Sequence, residues 1–119
     1  MAKTVLLVDD DKDFIFIFGL QLNSFDVQIE ETDCAESALA VLADRKIDVA
    51  FIDVNLEDMK GTELCRRIKN EYPDIKTALL TGYPMAMADE LKAESGADFI
   101  FSKPIDKKKL DQLFMIVPR

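Results

Sequence analysis

The sequence predicts an α/β domain in which a five-stranded parallel sheet carries helices on both faces. Three observations predict it. Short apolar runs alternate with longer stretches of helical periodicity, five times in 119 residues. The runs at 4–8, 49–52 and 75–80 are largely apolar throughout rather than alternating, as in strands buried on both faces. About half of the residues are apolar, which suits one core and one domain spanning 1–119.

The elements follow in order. Thr4 to Val8 is the first strand, ending in the acidic run Asp9-Asp10-Asp11-Lys12-Asp13. A helix to about Asn23 comes next, then a weaker strand at Val27-Gln28-Ile29. Between Ala35 and Ala43, apolar Ala38, Leu39, Val41 and Leu42 recur at helical spacing. Val49 to Ile52 is the third strand, closed by Asp53, and Gly61 punctuates the loop beyond it. Leu64, Cys65, Ile68 and Tyr72 mark a helix stopped by Pro73. Ile75 to Leu80 is the fourth strand, ending at Thr81-Gly82. Pro84 suits the first turn of a helix that runs to about Ser95, with Gly96 as its C-terminal cap. Phe99 to Phe101 is the last strand, Lys103-Pro104 follows, and Asp106 to about Val117 is the last helix. Right-handed crossovers between such units build a doubly wound three-layer sandwich.

In such sheets ligands sit beyond the carboxyl ends of the strands. Those ends deliver Asp9 and Asp10 (strand 1), Asp53 and then Asn55 (strand 3), Thr81 (strand 4) and Lys103 (strand 5). Clustered carboxylates raise one another's pKa unless a cation compensates. Magnesium takes about six oxygen ligands, so two or three carboxylates and a backbone carbonyl suit it. A carboxylate is also a nucleophile towards phosphorus, and Lys103 and Thr81 can cover the oxygens of a transferred phosphoryl group. Each piece alone has a plainer reading: the acidic run as a helix cap, Asp53 as a turn residue, Lys103 as a solvated lysine. Their joint placement on successive strand ends favours the chemistry.

Composition excludes several classes. The chain has no histidine, so Ser-His and Cys-His catalysis and histidine-ligated zinc are ruled out. A net charge of −8 argues against direct nucleic-acid binding. Cys34 and Cys65 stand far apart and read as reduced thiols of a cytoplasmic protein. No signal peptide or membrane span is visible, so no membrane association is expected.

The segments VLLVDDD (5–11), VAFIDVNLEDMKG (49–61), LLTGYP (79–84) and GADFIFSKP (96–104) together resemble the receiver domains of two-component response regulators. The resemblance covers essentially the whole chain and implies the flavodoxin-like (βα)5 sandwich of CheY-like proteins. It implies a phosphoacceptor switch rather than a turnover enzyme, with Asp53 taking the phosphoryl group from a sensor histidine kinase or a histidine phosphotransfer protein. It implies magnesium held by Asp9, Asp10, Asp53 and the backbone carbonyl of Asn55, with Asp10 mattering more than Asp9 and Asp11 least. Thr81 and Lys103 then contact the phosphoryl group, and Asn55 and Tyr83 tune its lifetime.

The sequence departs from the family in two places. NLEDMKG lacks the proline common after the acceptor, and Ile100 stands where the family usually has a switching Tyr or Phe. An aspartate-nucleophile phosphatase of the haloacid-dehalogenase type is the competing class, but it places its nucleophile after strand 1 with a second Asp two residues on, whereas Asp53 closes strand 3 and is followed by Val54 and Asn55, and no cap domain is expected. A pseudo-receiver loses because every chemical residue is present, and a nucleotide-binding domain because no glycine-rich phosphate loop follows strand 1. The first helix is unusually apolar, with FIFIF at 14–18. Helical spacing predicts Phe14, Ile17, Phe18 and Gln21-Leu22 as its buried stripe. Ile15, Phe16 and Leu20 then form an exposed dock for a helical phosphotransfer partner, or alternatively a homodimer contact.

Overall fold

The computed structural model describes residues 3–82 and 85–116, except for the side chain of Met85. Five strands alternate with five helices: β1 Lys3–Val8, α1 Lys12–Leu22, β2 Val27–Thr32, α2 Ala35–Asp44, β3 Val49–Asp53, α3 Gly61–Glu71, β4 Lys76–Thr81, α4 Ala88–Ser95, β5 Phe99–Ser102 and α5 Lys107–Ile116. All strand pairs are parallel, in the order β2-β1-β3-β4-β5. This is the five-stranded parallel sheet that the sequence predicts. Strand order reverses at β1, so the crevice for a ligand lies beyond the ends of β1 and β3.

Every residue of β3, and all of β1 after Lys3, is buried. Their side chains alternate between two cores. Leu6, Val8, Ala50 and Ile52 face a core shared with Ala38, Leu64, Ile68 and Leu91 of α2, α3 and α4. Val5, Leu7, Val49 and Phe51 face a core shared with Phe18 and Leu22 of α1 and Leu110 and Leu113 of α5. A continuous apolar run serves both layers at once, which is why it shows no alternation.

Three expectations need correction. Strand β2 runs three residues beyond Ile29, to Thr32. It is an edge strand, half exposed, and its Glu30 and Glu31 mask it in the sequence. A 3-10 turn at Met85–Met87 precedes α4, which starts at Ala88 rather than near Pro84; Tyr83 and Pro84 lie outside the described residues. Gly96 does cap α4 in the left-handed conformation, at φ 70°.

The third correction concerns α1. Phe18 and Leu22 are buried, with Phe14 and Ile15 packed beside them, whereas Ile17 is exposed with Phe16 and Leu20. Ile15 and Ile17 therefore exchange the places predicted for them. At about 100° per residue, a stripe centred on Phe18 and Leu22 lies some 40° from Ile15 and 120° from Ile17. The helix is turned this way by Phe18, whose ring meets Phe51 edge-on at 4.9 Å. The amide of Gln21 also reaches across to Ile105, donating to its carbonyl at 3.0 Å.

Candidate functional site

The bottom of the site is the end of β1. Asp9 is buried and each of its oxygens is engaged: Oδ1 accepts from the Asp11 backbone N–H at 2.9 Å, and Oδ2 from Lys103 Nζ at 2.6 Å. Asp10 is exposed beside it, and Asp53 ends β3 in a buried position. One carboxylate oxygen from each of Asp9, Asp10 and Asp53 lies within 4.8 Å of the others. The Lys103 ammonium lies 3.4 Å from Asp53 Oδ1. Three carboxylates facing one ammonium leave an excess of negative charge that a hard divalent cation suits.

Asp53 registers that excess. Burial first, and then the charge of Asp9, push its carboxyl pKa above the usual carboxylate value; Lys103 and the Asn55 backbone N–H pull the other way without cancelling the rise. The loop from Asp53 closes through an Asn55–Lys60 bridge, with the Gly61 N–H donating to the Val54 carbonyl at 2.8 Å. Gly61 begins α3 against the backbone of Asp53, and a Cβ there would sit 2.8 Å from Asp53 C and Val54 Cα and overlap the Asp53 carbonyl oxygen. Thr81 is buried at the end of β4, the strand beside β3, and its carbonyl accepts the Lys103 N–H at 2.9 Å. The Lys103-Pro104 peptide bond is cis. Asp9, Asp10, Asp53, Asn55, Thr81 and Lys103 are thus all at one edge of the sheet.

Asp11 has a different job. Its side chain accepts from the N–H groups of Asp13 and Phe14, each at 3.1 Å, and caps α1. The plainer reading of the acidic run therefore holds for Asp11, and for Asp13, which lies in the first turn of α1. Two further residues escape sequence reasoning. Asp58, in the β3–α3 loop, accepts from Ala35 N–H and Glu36 N–H at 2.9 Å each and so caps α2 from another loop. Those bonds hold its carboxyl below the usual range. A hint was available: Cys34, at the N-cap of α2, makes no capping bond itself. The other is Phe14, whose ring lies under the Lys103 ammonium, 4.4 Å from centroid to Nζ.

Ile100 packs on the α2–α4 side of the sheet, whereas Phe99 and Phe101 pack on the α1–α5 side. Neither phenylalanine occupies the face of the residue it would have to replace. Beside the acidic cluster, a cleft of about 540 Å3 is lined by Asp9, Lys12, Ile15, Phe16, Glu31, Thr32, Asp33 and Ser37.

Comparison with known proteins agrees with the fold. The heme response regulator HssR of Staphylococcus haemolyticus is 34% identical over 105 residues, which are 88% of this chain and 46% of that protein. The chain thus spans about half the length of the curated relatives that it matches. A CheY-like response regulator receiver domain protein from Methanospirillum hungatei superposes with a TM-score of 0.84 at 27% identity, over 97% of this chain and 92% of that one. The BeF3-activated receiver domain of DrrB, a Thermotoga maritima protein, superposes with a TM-score of 0.86 at 27% identity, over the whole of both chains. Residues 5–114 match the response regulator receiver domain family, and the chain belongs to it.

Proposed function

We propose that this receiver domain takes a phosphoryl group from a phosphohistidine donor onto Asp53, in a reaction that needs a divalent cation. The observation that carries the reading is the cluster of Asp9, Asp10 and Asp53 with Lys103 on Asp53. Asp9, Asp10, Asp53 and the Asn55 carbonyl are the residues that would hold magnesium, and the bound ion would neutralise charge developing on the phosphoryl oxygens. Asp53 acts as the nucleophile: an oxygen–phosphorus bond forms on its carboxylate while the donor's phosphorus–nitrogen bond breaks. The electron pair of that bond stays on the imidazole. Lys103 remains protonated and pairs with a phosphoryl oxygen, with Thr81 contacting another. The product is a switch rather than a released metabolite. The whole chain, 1–119, acts as one receiver unit in this reading, and the free thiols of Cys34 and Cys65 suit a cytoplasmic setting.

Incubation with acetyl phosphate and magnesium tests this. The intact mass is expected to rise by one phosphoryl group, and borohydride reduction of the acyl phosphate is expected to mark Asp53. Replacing magnesium with EDTA should abolish the gain. A gain that survives EDTA, or that maps elsewhere, refutes the reading.

The donor is expected to dock on α1. Phe16, Ile17 and Leu20 are 68%, 57% and 57% exposed on one face. Isolated exposed apolar residues are ordinary, but a cluster of three large ones marks a contact surface. The cleft runs from Phe16 to Asp9, so a helix lying along α1 would come to the border of the acidic cluster. The double variant Phe16→Glu, Leu20→Lys is expected to slow transfer from a histidine kinase or phosphotransfer protein by about tenfold or more, as for loss of interface anchors. Acetyl phosphate should still modify it at the parent rate. Equal transfer from the protein donor would remove α1 from the interface. Sedimentation of both proteins tests the homodimer alternative.

A further inference from the structure

We propose that Phe14 is a positioning residue for phosphoryl transfer: its ring face seats the Lys103 ammonium beside Asp53. The inference rests on Asp53 being the acceptor. Lys103 enters the site on a flexible four-carbon stem, so its ammonium needs a seat. Of the two carboxylates that attract it, Asp9 is the nearer, at 2.6 Å against 3.4 Å for Asp53. Asp9 also belongs to the cluster suited to a cation. An ammonium held only by Asp9 would lose its anchor when Asp9 serves that cation. The ring offers a seat that depends on neither carboxylate, because an aromatic face attracts a cation through its quadrupole. Lys103 Nζ lies 4.4 Å from the Phe14 centroid, inside the range for that attraction.

The seat is itself fixed. Phe14 stacks on Phe18 at 5.4 Å, and Phe18, fully buried, meets Phe51 edge-on at 4.9 Å. Phe51 stands two residues before Asp53 on β3 and faces Phe101 at 6.4 Å; Phe101 stands two residues before Lys103. One run of rings therefore links the helix carrying the seat, the strand carrying the acceptor and the strand leading to the ammonium. The Asp11 cap fixes Phe14 from the other side by accepting its N–H. Packing alone would explain a large apolar residue at this position, and a leucine would serve that purpose. Only an aromatic face also holds the cation.

The test compares Phe14→Leu with Phe14→Tyr in the full chain. The rate of phosphorylation by acetyl phosphate is measured at saturating magnesium. NMR gives the ring-current shift of the Lys103 ε-methylene, and the magnesium affinity from the Asp9 and Asp10 amides. Phe14→Leu is expected to slow phosphorylation about fivefold, to remove the upfield shift of the Lys103 protons, and to leave magnesium affinity and Tm close to the parent values. Phe14→Tyr is expected to keep both the rate and the shift. A Phe14→Leu protein that reacts at the parent rate overturns the proposal, as do leucine and tyrosine variants that slow alike. A parallel loss of magnesium affinity in Phe14→Leu also overturns it, by showing general damage to the site. The two levels fail separately. If the parent takes no phosphoryl group on Asp53, the acceptor assignment falls; if its Lys103 protons show no ring-current shift, only the seat falls.

Discussion

Asp53→Asn is expected to abolish phosphorylation and, in the absence of divalent cations, to make the folded protein more stable. Both effects follow from one environment. The raised pKa of Asp53 means that its ionised form is less favourable in the folded chain than in the unfolded one. Between the unfolded value and the raised folded value, the folded state binds more protons, so stability falls as pH rises through that window. Above it the penalty is fully present. Near pH 7 the asparagine variant escapes the penalty, and Tm is expected to rise by about 4 °C for each kcal/mol recovered. Below the unfolded carboxylate pKa, both proteins carry a neutral side chain and the difference should close. Lys103 keeps its nearer partner, Asp9, in the variant. Magnesium should reverse the order, since a ligand that binds only the folded state stabilises it by mass action and the variant lacks one of the carboxylates proposed to hold it. Thermal melts at about pH 3 and pH 7, in EDTA and in magnesium, give all four values. A variant that melts below the parent at pH 7 in EDTA would show that Asp53 is not a repelled charge there. Any residual acyl phosphate would show that it is not the acceptor.

The parts of this chain that were legible in the sequence share a cause. Strands β1, β3 and β4 announce themselves because burial on both faces forces apolar residues at nearly every position. The candidate site was legible for a topological reason. In a parallel sheet every strand points its carboxyl end to the same edge, so Asp9, Asp53, Thr81 and Lys103 meet there although the first and the last stand 94 positions apart. What stayed hidden depends on packing. Five consecutive apolar residues, 14–18, carry no periodic signal of their own, so the rotation that partly buries Ile15 and exposes Ile17 comes from Phe18 against Phe51. Asp58 caps a helix that begins 23 residues earlier, and no local capping rule reaches that far. The seat of Lys103 on Phe14 spans 89 residues and follows only once α1 and β5 are docked on the same core.

Gly61→Ala is expected to have the largest structural effect of any single-methyl change in the chain, and to damage the site from outside it. Gly61 is buried where α3 starts under the backbone of Asp53. The new methyl would meet main-chain atoms, which cannot rotate away as a side chain could. Either α3 retreats or the Asp53–Val54 segment moves; retreat would break the Gly61 N–H bond to the Val54 carbonyl. Overpacking of this kind costs about 3 kcal/mol, a fall in Tm of about 12 °C for a domain of this size. Displacement of Asp53 adds a catalytic loss, because misplacing a reacting group by about 1 Å can cost about a hundredfold. Gly19→Ala is the matched control. Gly19 lies within α1 with nothing near enough to meet a Cβ, so the same methyl should stabilise the helix by about 0.5–1 kcal/mol. Opposite signs for these two substitutions are the expected result. A Gly61→Ala protein that melts with the parent and accepts phosphate at the parent rate would show that the Asp53 backbone yields freely, and that the acceptor is not held in place by the start of α3.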